Sequence, residues 1–98
     1  MKSVTNPTIK PLAKGDKFQT KQMRAKAGEL LPKHSASIES VLIVLEGECV
    51  LNLDGTEHSL RQGDSFIVPS AIEHQIRVVS DFKAVHVMTN DIQFKFIE

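Results

Sequence analysis

Along this chain apolar and polar residues alternate in short runs broken by turn-forming residues, and no stretch repeats at the spacing of a helix face. The pattern predicts an all-β domain. Residues 1–16, with Pro7, Pro11 and Gly15, read as an arm holding at most a short edge strand. In residues 18–26 Met23 and Ala25 alternate with Arg24 and Lys26, a strand, and residues 27–37 form a loop or short strand carrying Gly28, Pro32 and His34. Residues 41–45 and 49–53 flank Glu46-Gly47-Glu48 and read as a hairpin, and Asp54-Gly55 tolerates the positive φ angles of a type I′ turn into a strand at 58–61. Cys49, Leu51 and Leu53 share one face of their strand, so the thiol points into apolar surroundings. A turn at 62–64, a strand at 65–69 and a loop at 70–73 follow, then strands at 74–79 and 82–89. Residues 91–98, with Phe94, Phe96 and Ile97, can add a last strand. Seven to nine short strands need a closed or two-sheet arrangement, because open edges invite aggregation. A jelly-roll β-barrel of two antiparallel sheets with an N-terminal arm meets that need.

Composition narrows the reading. The 98 residues carry 12 Lys+Arg against 12 Asp+Glu, which fits one small neutral domain spanning 1–98. Without net positive charge, Tyr or Trp, the chain lacks the footprint of a general nucleic-acid binder. The longest apolar run, residues 41–45, is five residues, against the roughly 20 of a membrane helix. The first seven residues hold no apolar signal core, and a single Cys cannot close an internal disulfide. These features predict a cytoplasmic protein with neither nucleic-acid nor membrane partners. Charge is uneven along the chain: residues 1–33 hold eight Lys/Arg against two acids, a net of +6, leaving −6 for residues 34–98.

Two groups of residues carry a resemblance. The first, over 28–47, contains Gly28, His34, Ala36, Ser40 and Gly47; the second, over 63–78, contains Gly63-Asp64, Val68-Pro69, Ala71, His74 and Val78. Fifteen residues separate Gly47 from Gly63. In order and spacing these resemble the two motifs of the cupin family, small β-barrels, and the likeness covers about half the chain. It implies a barrel with a metal held by two His and a carboxylate from the first motif and one His from the second. This chain departs from that set: Ala36 stands at the second His, and Ser40 stands at the carboxylate position, next to Glu39.

His34 and His74 are therefore the candidate ligands, too few alone for a usual zinc or non-haem iron site. Glu39 can join them only if a β-bulge slips the strand by one residue, which would also turn Leu42 and Val44 outward. His86 is the other candidate. A three-residue turn at 79–81 places it beside His74, whereas a two-residue turn at 80–81 sets it opposite Gln75. His58, between Glu57 and Ser59 just after the Asp54-Gly55 turn, reads as a solvated strand-end residue.

Two functions follow as expectations. One is a small-molecule-binding cupin barrel without a complete metal site. Its cavity would be lined by Leu42, Val44, Phe66, Val68, Ile76 and Val78, with His34, Ser40 and His74 as polar anchors, and it would suit a mostly apolar ligand with one acceptor or carboxylate. The other is a metal-dependent enzyme, a dioxygenase or isomerase-type cupin, with His34, His74 and His86 holding Fe, Zn or Ni. A third, an accessory dimer without a reacting site, has no residue of its own to argue for it. Acid catalysis of the sugar-epimerase cupin type pairs His with Tyr, and the chain has no Tyr. Val41, Ile43 and Leu45 face away from the cavity and need cover, which together with the resemblance predicts a homodimer.

Overall fold

The computed structural model describes residues 3–97. Residues 1, 2 and 98, the outermost ends of the expected arm and tail, lie outside the described residues. Eight strands and no helix occur among the described residues: β1 (Thr8–Lys14), β2 (Phe18–Ala25), β3 (His34–Ala36), β4 (Ser40–Leu53), β5 (Thr56–Arg61), β6 (Ser65–Val68), β7 (His74–Thr89) and β8 (Phe94–Phe96). All strand pairings are antiparallel. The all-β, jelly-roll expectation holds.

Two long strands organise the barrel. β4 and β7 pair along almost their whole length, from Val41↔Val87 to Leu53↔His74, with irregular register between Val44 and Cys49. The strands expected at 41–45 and 49–53 are thus two arms of one bent strand, each paired with β7 rather than with the other. The same holds for 74–79 and 82–89. This corrects the hairpins read at Glu46-Gly47-Glu48 and at Ser80-Asp81. Alternation reports which face a residue shows but not which strand it pairs with, and a polar interruption looks the same in a turn as in a bend. Here it marks the place where a two-stranded ribbon folds over itself.

The folding over makes two layers. In one, β1, β2, the 82–89 arm of β7, the 40–44 arm of β4 and β6 lie side by side. In the other, β5, the 49–53 arm of β4, the 74–78 arm of β7, β3 and β8 do. Between them Val44, Cys49, Leu51, Val78 and Ala84 are almost wholly buried near the bend, joined by Leu42, Leu60, Val68, Ile76 and Phe82. Burial pushes the Cys49 thiol up to about 12, with the Glu48 charge adding to it, so this cysteine is a packed core group.

Gly47 permits the bend. Its φ is +80°, and a Cβ there would lie 2.0 Å from the backbone oxygen of Asp81. The polar residues of the corner face solvent and tie it down. Glu46 Oε2 bonds Lys83 Nζ at 2.7 Å, and Asp81 Oδ1 accepts from Ala27 N at 3.0 Å.

The N-terminal segment forms more than a marginal edge. β1 runs seven residues against β2 with a bulge between Pro11 and Ala13, and before it Thr5 N donates to Leu30 O at 2.8 Å. Both Pro residues of this segment sit on a strand edge or before the strand, where no ladder donor is required of them.

Candidate functional site

Away from the bend the two layers part around a cavity of about 370 Å³. Twelve residues of straight strand would separate His74 from His86 by roughly 40 Å. Because β7 doubles over, both line this one cavity. Their even spacing keeps them on the same face of β7, and the bend preserves that parity: His74, Ile76, Val78, Phe82, Ala84 and Met88 are all buried. Neither turn length considered from the sequence describes the outcome. His86 is the ladder partner of Leu42, and it shares the cavity with His74 by facing it from the opposite layer.

His34 arrives on β3. It is the register partner of His74, and the two rings meet edge to face with centroids 4.4 Å apart. In each ring Nδ1 lies 3.1 Å from a backbone carbonyl oxygen two residues earlier, Pro32 for His34 and Ile72 for His74. A carbonyl oxygen only accepts, so Nδ1 carries the proton in both rings, and Nε2 is left with a lone pair. Burial lowers the pKa of both histidines, partly offset by these carbonyls, and the charge His34 would carry adds to the lowering at His74. His86 is held down to about 4, by burial first and then by the neighbouring His34, His74 and Lys21. At neutral pH the cluster is uncharged.

Ser40, at 4% exposure, occupies the place where the family motif carries its carboxylate, and its Oγ lies 2.6 Å from His86 Nε2. The neighbouring Glu39 is exposed, so β4 has not slipped, and Leu42 and Val44 stay inside. Ala36 is buried and offers no donor. The donor set therefore does not complete the metal site that the resemblance implies. Among the described residues no group of three or more His, Cys, Asp or Glu side chains is arranged to hold an ion.

Of the cavity residues expected from sequence, His34, Leu42, Val68, His74 and Ile76 line it. Ser40 stands behind His86. Val44 and Val78 lie in the closed core nearer the bend, and Phe66 packs against that core with the His58 ring 5.0 Å away. His58 is accordingly half-buried on the inner face of β5 rather than solvated. Sequence reading missed the contributions of the other strands: Ile9 from β1, Lys21 and Met23 from β2, Met88 from β7, and Phe94 and Phe96 from β8. Met88 shares the parity of His86, and the Phe-x-Phe alternation of β8 was visible. What places Ile9, Lys21 and Met23 there is pairing between distant strands, which alternation does not encode.

The cavity is thus apolar with a few polar atoms at defined places. Phe94 and Phe96 stand 5.5 and 5.3 Å from the His34 ring, and Phe94 is also 6.2 Å from His86. Lys21, the register partner of His86, is the one charged residue in the lining among the described residues. The loop leading into β7 contains Ala71 at φ 63°, the position where the family motif has Gly, and Ala71 N donates to Ala36 O at 2.7 Å. The turn the motif needs is kept, on a residue that resists it.

Comparison with known proteins agrees with this architecture. No curated protein matches the chain. Among solved structures, a cupin superfamily protein of Desulfitobacterium hafniense superposes with a TM-score of 0.79 at 22% identity, covering 93% of this chain and 84% of that one. KdgF of a Halomonas species gives 0.78 at 17% identity, covering 86% and 78%. Salicylate 1,2-dioxygenase of Pseudoaminobacter salicylatoxidans, in an adduct with gentisate, gives 0.83 at 18% identity over 98% of this chain but only 30% of that one. At these identities the likeness is one of fold. Residues 21–89 match the family described as Cupin domain, which takes in both bent strands, all three cavity histidines and both motifs, and the chain belongs to that family.

Proposed function

We propose that this cupin domain binds a small, mostly apolar molecule in the cavity between its layers, without needing a metal ion. The observation that carries the reading is the cavity itself. Its volume of about 370 Å³ lies within the range of ligand pockets, and its walls are aliphatic, thioether and aromatic, with three imidazoles and Lys21 among its few polar groups. Neutral, tautomer-fixed histidines suit recognition, because their orientation is set before a ligand arrives.

The test is a thermal-shift and calorimetry screen against a broad panel of small metabolites in the presence of a chelator. A ligand at 100 times its Kd should stabilise the protein by about 2.7 kcal/mol. Binding should persist in chelator and weaken in His74→Ala. Absence of saturable binding across the panel would end the reading.

The second reading is a metal-dependent enzyme of dioxygenase or isomerase type using His34, His74 and His86 with Fe, Zn or Ni. It has in its favour that the fold brings all three imidazoles to one cavity, and that a dioxygenase is among the structures of like fold. Against it stands the incomplete donor set. Elemental analysis of untagged protein from metal-rich medium separates the two: stoichiometric metal that disappears in His34→Ala supports the enzyme.

The proposal extends to assembly as a homodimer. On the outer face of the sheet Val41, Ile43, Ile67, Val85 and Val87 are neighbours by register, and Ile67 is 54% exposed. An apolar patch on a sheet with no covering layer is the kind of surface a second copy closes. Light scattering at micromolar concentration should give the mass of two chains; a monomer mass would refute this part.

A further inference from the structure

The two histidines facing each other across the β3–β7 pairing say more about the ligand than that it is small and apolar. In each, Nδ1 is committed to a backbone carbonyl at 3.1 Å. The ring nitrogen that this contact leaves free in each is Nε2, and it bears a lone pair. A lone pair in an apolar enclosure calls for a donor, and a second acceptor placed against it is repelled. Side-chain types alone suggested a ligand with an acceptor or a carboxylate, and the backbone contacts of the rings reverse that expectation. The imidazoles accept, so an acceptor on the ligand has no place at them and would have to go to Lys21.

The wall beside these atoms is aromatic. Phe94 and Phe96 lie within 5.5 Å of the His34 ring, centroid to centroid, in edge and tilted orientations, and with it they form an aromatic wall against which a further flat ring can pack. Resting on the binding function proposed above, we infer that the ligand is a neutral phenol-type compound, an apolar ring whose hydroxyl donates to Nε2 of His34 or His74. A phenol meets both requirements at once, since its O–H is a stronger donor than an aliphatic alcohol's and its ring fills the aromatic wall. His86 takes no part in this contact, because its Nε2 is engaged with Ser40 at 2.6 Å.

The experiment uses matched probes on the intact protein in chelator: 4-alkylphenols of increasing chain length and the corresponding 4-alkylanisoles, with the same body and no donor. Binding is followed by calorimetry and by the ¹⁵N shifts of the imidazoles. The phenols should bind about tenfold tighter than their methyl ethers, the effect of one hydrogen bond to an otherwise unpaired acceptor. They alone should shift the Nε2 resonances of His34 or His74. In His34→Leu or His74→Leu, whichever removes the ring that accepts the hydroxyl, the ratio of phenol to anisole affinity should shrink to within about twofold. If either variant fails to fold, the wild-type ratio decides alone. Phenol and ether binding equally, or ether binding better, would overturn the inference while leaving the small-molecule reading standing. Failure of every probe to bind would also overturn the inference, and the metabolite panel would then decide the small-molecule reading separately.

Discussion

Replacing Gly47 by Ala should destabilise this barrel far more than any other glycine-to-alanine change among its turns. Two effects combine. The backbone is at φ +80°, where an L side chain costs about 1–2 kcal/mol. The added Cβ would also lie 2.0 Å from Asp81 O, 2.8 Å from Asp81 C and 3.0 Å from Ser80 O. All three are backbone atoms of the partner strand, so no side chain can swing aside. The Asp81 peptide must withdraw by about 1 Å, which strains the pairings Glu46↔Lys83 and Glu48↔Ser80 on either side of the bend. Losing two such contacts adds about 1–3 kcal/mol. The sum, roughly 2–5 kcal/mol, is a large share of the 5–15 kcal/mol a domain has in total. For a domain of this size the Tm should fall by roughly 10–30 °C. Gly55→Ala is the control, since its φ is +89° but a Cβ there meets nothing within 4 Å. It should cost only about 1 kcal/mol. Thermal and urea unfolding followed by circular dichroism measures both. If Gly47→Ala loses no more than Gly55→Ala, the close approach at the bend is not what the structure says it is.

Two further outcomes follow from local geometry. Ala71→Gly should stabilise the fold by about 0.5–1 kcal/mol, because Ala71 holds φ 63° and glycine adopts that conformation freely; a Tm that stays level or drops in the same unfolding assay would contradict it. Stability should fall in acid through the cavity histidines. His86 is lowered from 6.5 to about 4 in the folded protein, so between those values the unfolded chain binds the extra proton, and the stabilisation is complete above pH 6.5 and lost as pH falls towards 4. Urea unfolding at pH 7.5 and 4.5 should differ by about 2–3 kcal/mol more in the wild type than in His86→Gln; equal differences would show that His86 is not held neutral.

The faces of the strands were legible in the sequence, and their partners were not. Alternation gave the inward set Leu42, Val44, Leu51, Ile76 and Val78 because every second side chain of a pleated strand shares a face whatever lies beside it. It put breaks at residues 46–48 and 80–81 because those residues are polar. It could not distinguish a turn that returns the chain within a sheet from a bend that carries two paired strands into another layer, since both expose the same few side chains. The consequence was local to His86. Its parity with His74 was fixed by the count of residues, whereas its position depended on how the ribbon folded. The motif spacing fared differently. Gly28, Gly47 and Gly63 all have positive φ, so the glycines that carried the resemblance mark real turns and the bend. The cavity walls given by β1, β2 and β8 were hidden because they depend on pairings between residues far apart in the chain, such as Lys21 with His86.

Neither residue at the two departing motif positions, Ala36 or Ser40, carries a charge. A barrel of this type with a buried carboxylate at position 40 would need a cation close by, because an unpaired charge in an apolar enclosure is strongly disfavoured. Here position 40 is a serine, a neutral group that can donate or accept, and it meets His86 at 2.6 Å without asking that ring to ionise. With Ala36 contributing nothing, each remaining imidazole has one nitrogen assigned: His34 and His74 to backbone carbonyls, His86 to Ser40. Every polar group on the cavity floor can then stay uncharged. Among the described lining residues charge enters through Lys21, beside His86 in the same layer, and its proximity lowers His86 further. On the binding function proposed above, an anionic ligand would have to shed its hydration against imidazole lone pairs and aromatic faces, neither of which compensates a negative charge. On that same proposal, the residues that fail to complete a metal shell would form a neutral receptor, and the orientation of two ring protons would decide which end of a ligand it holds.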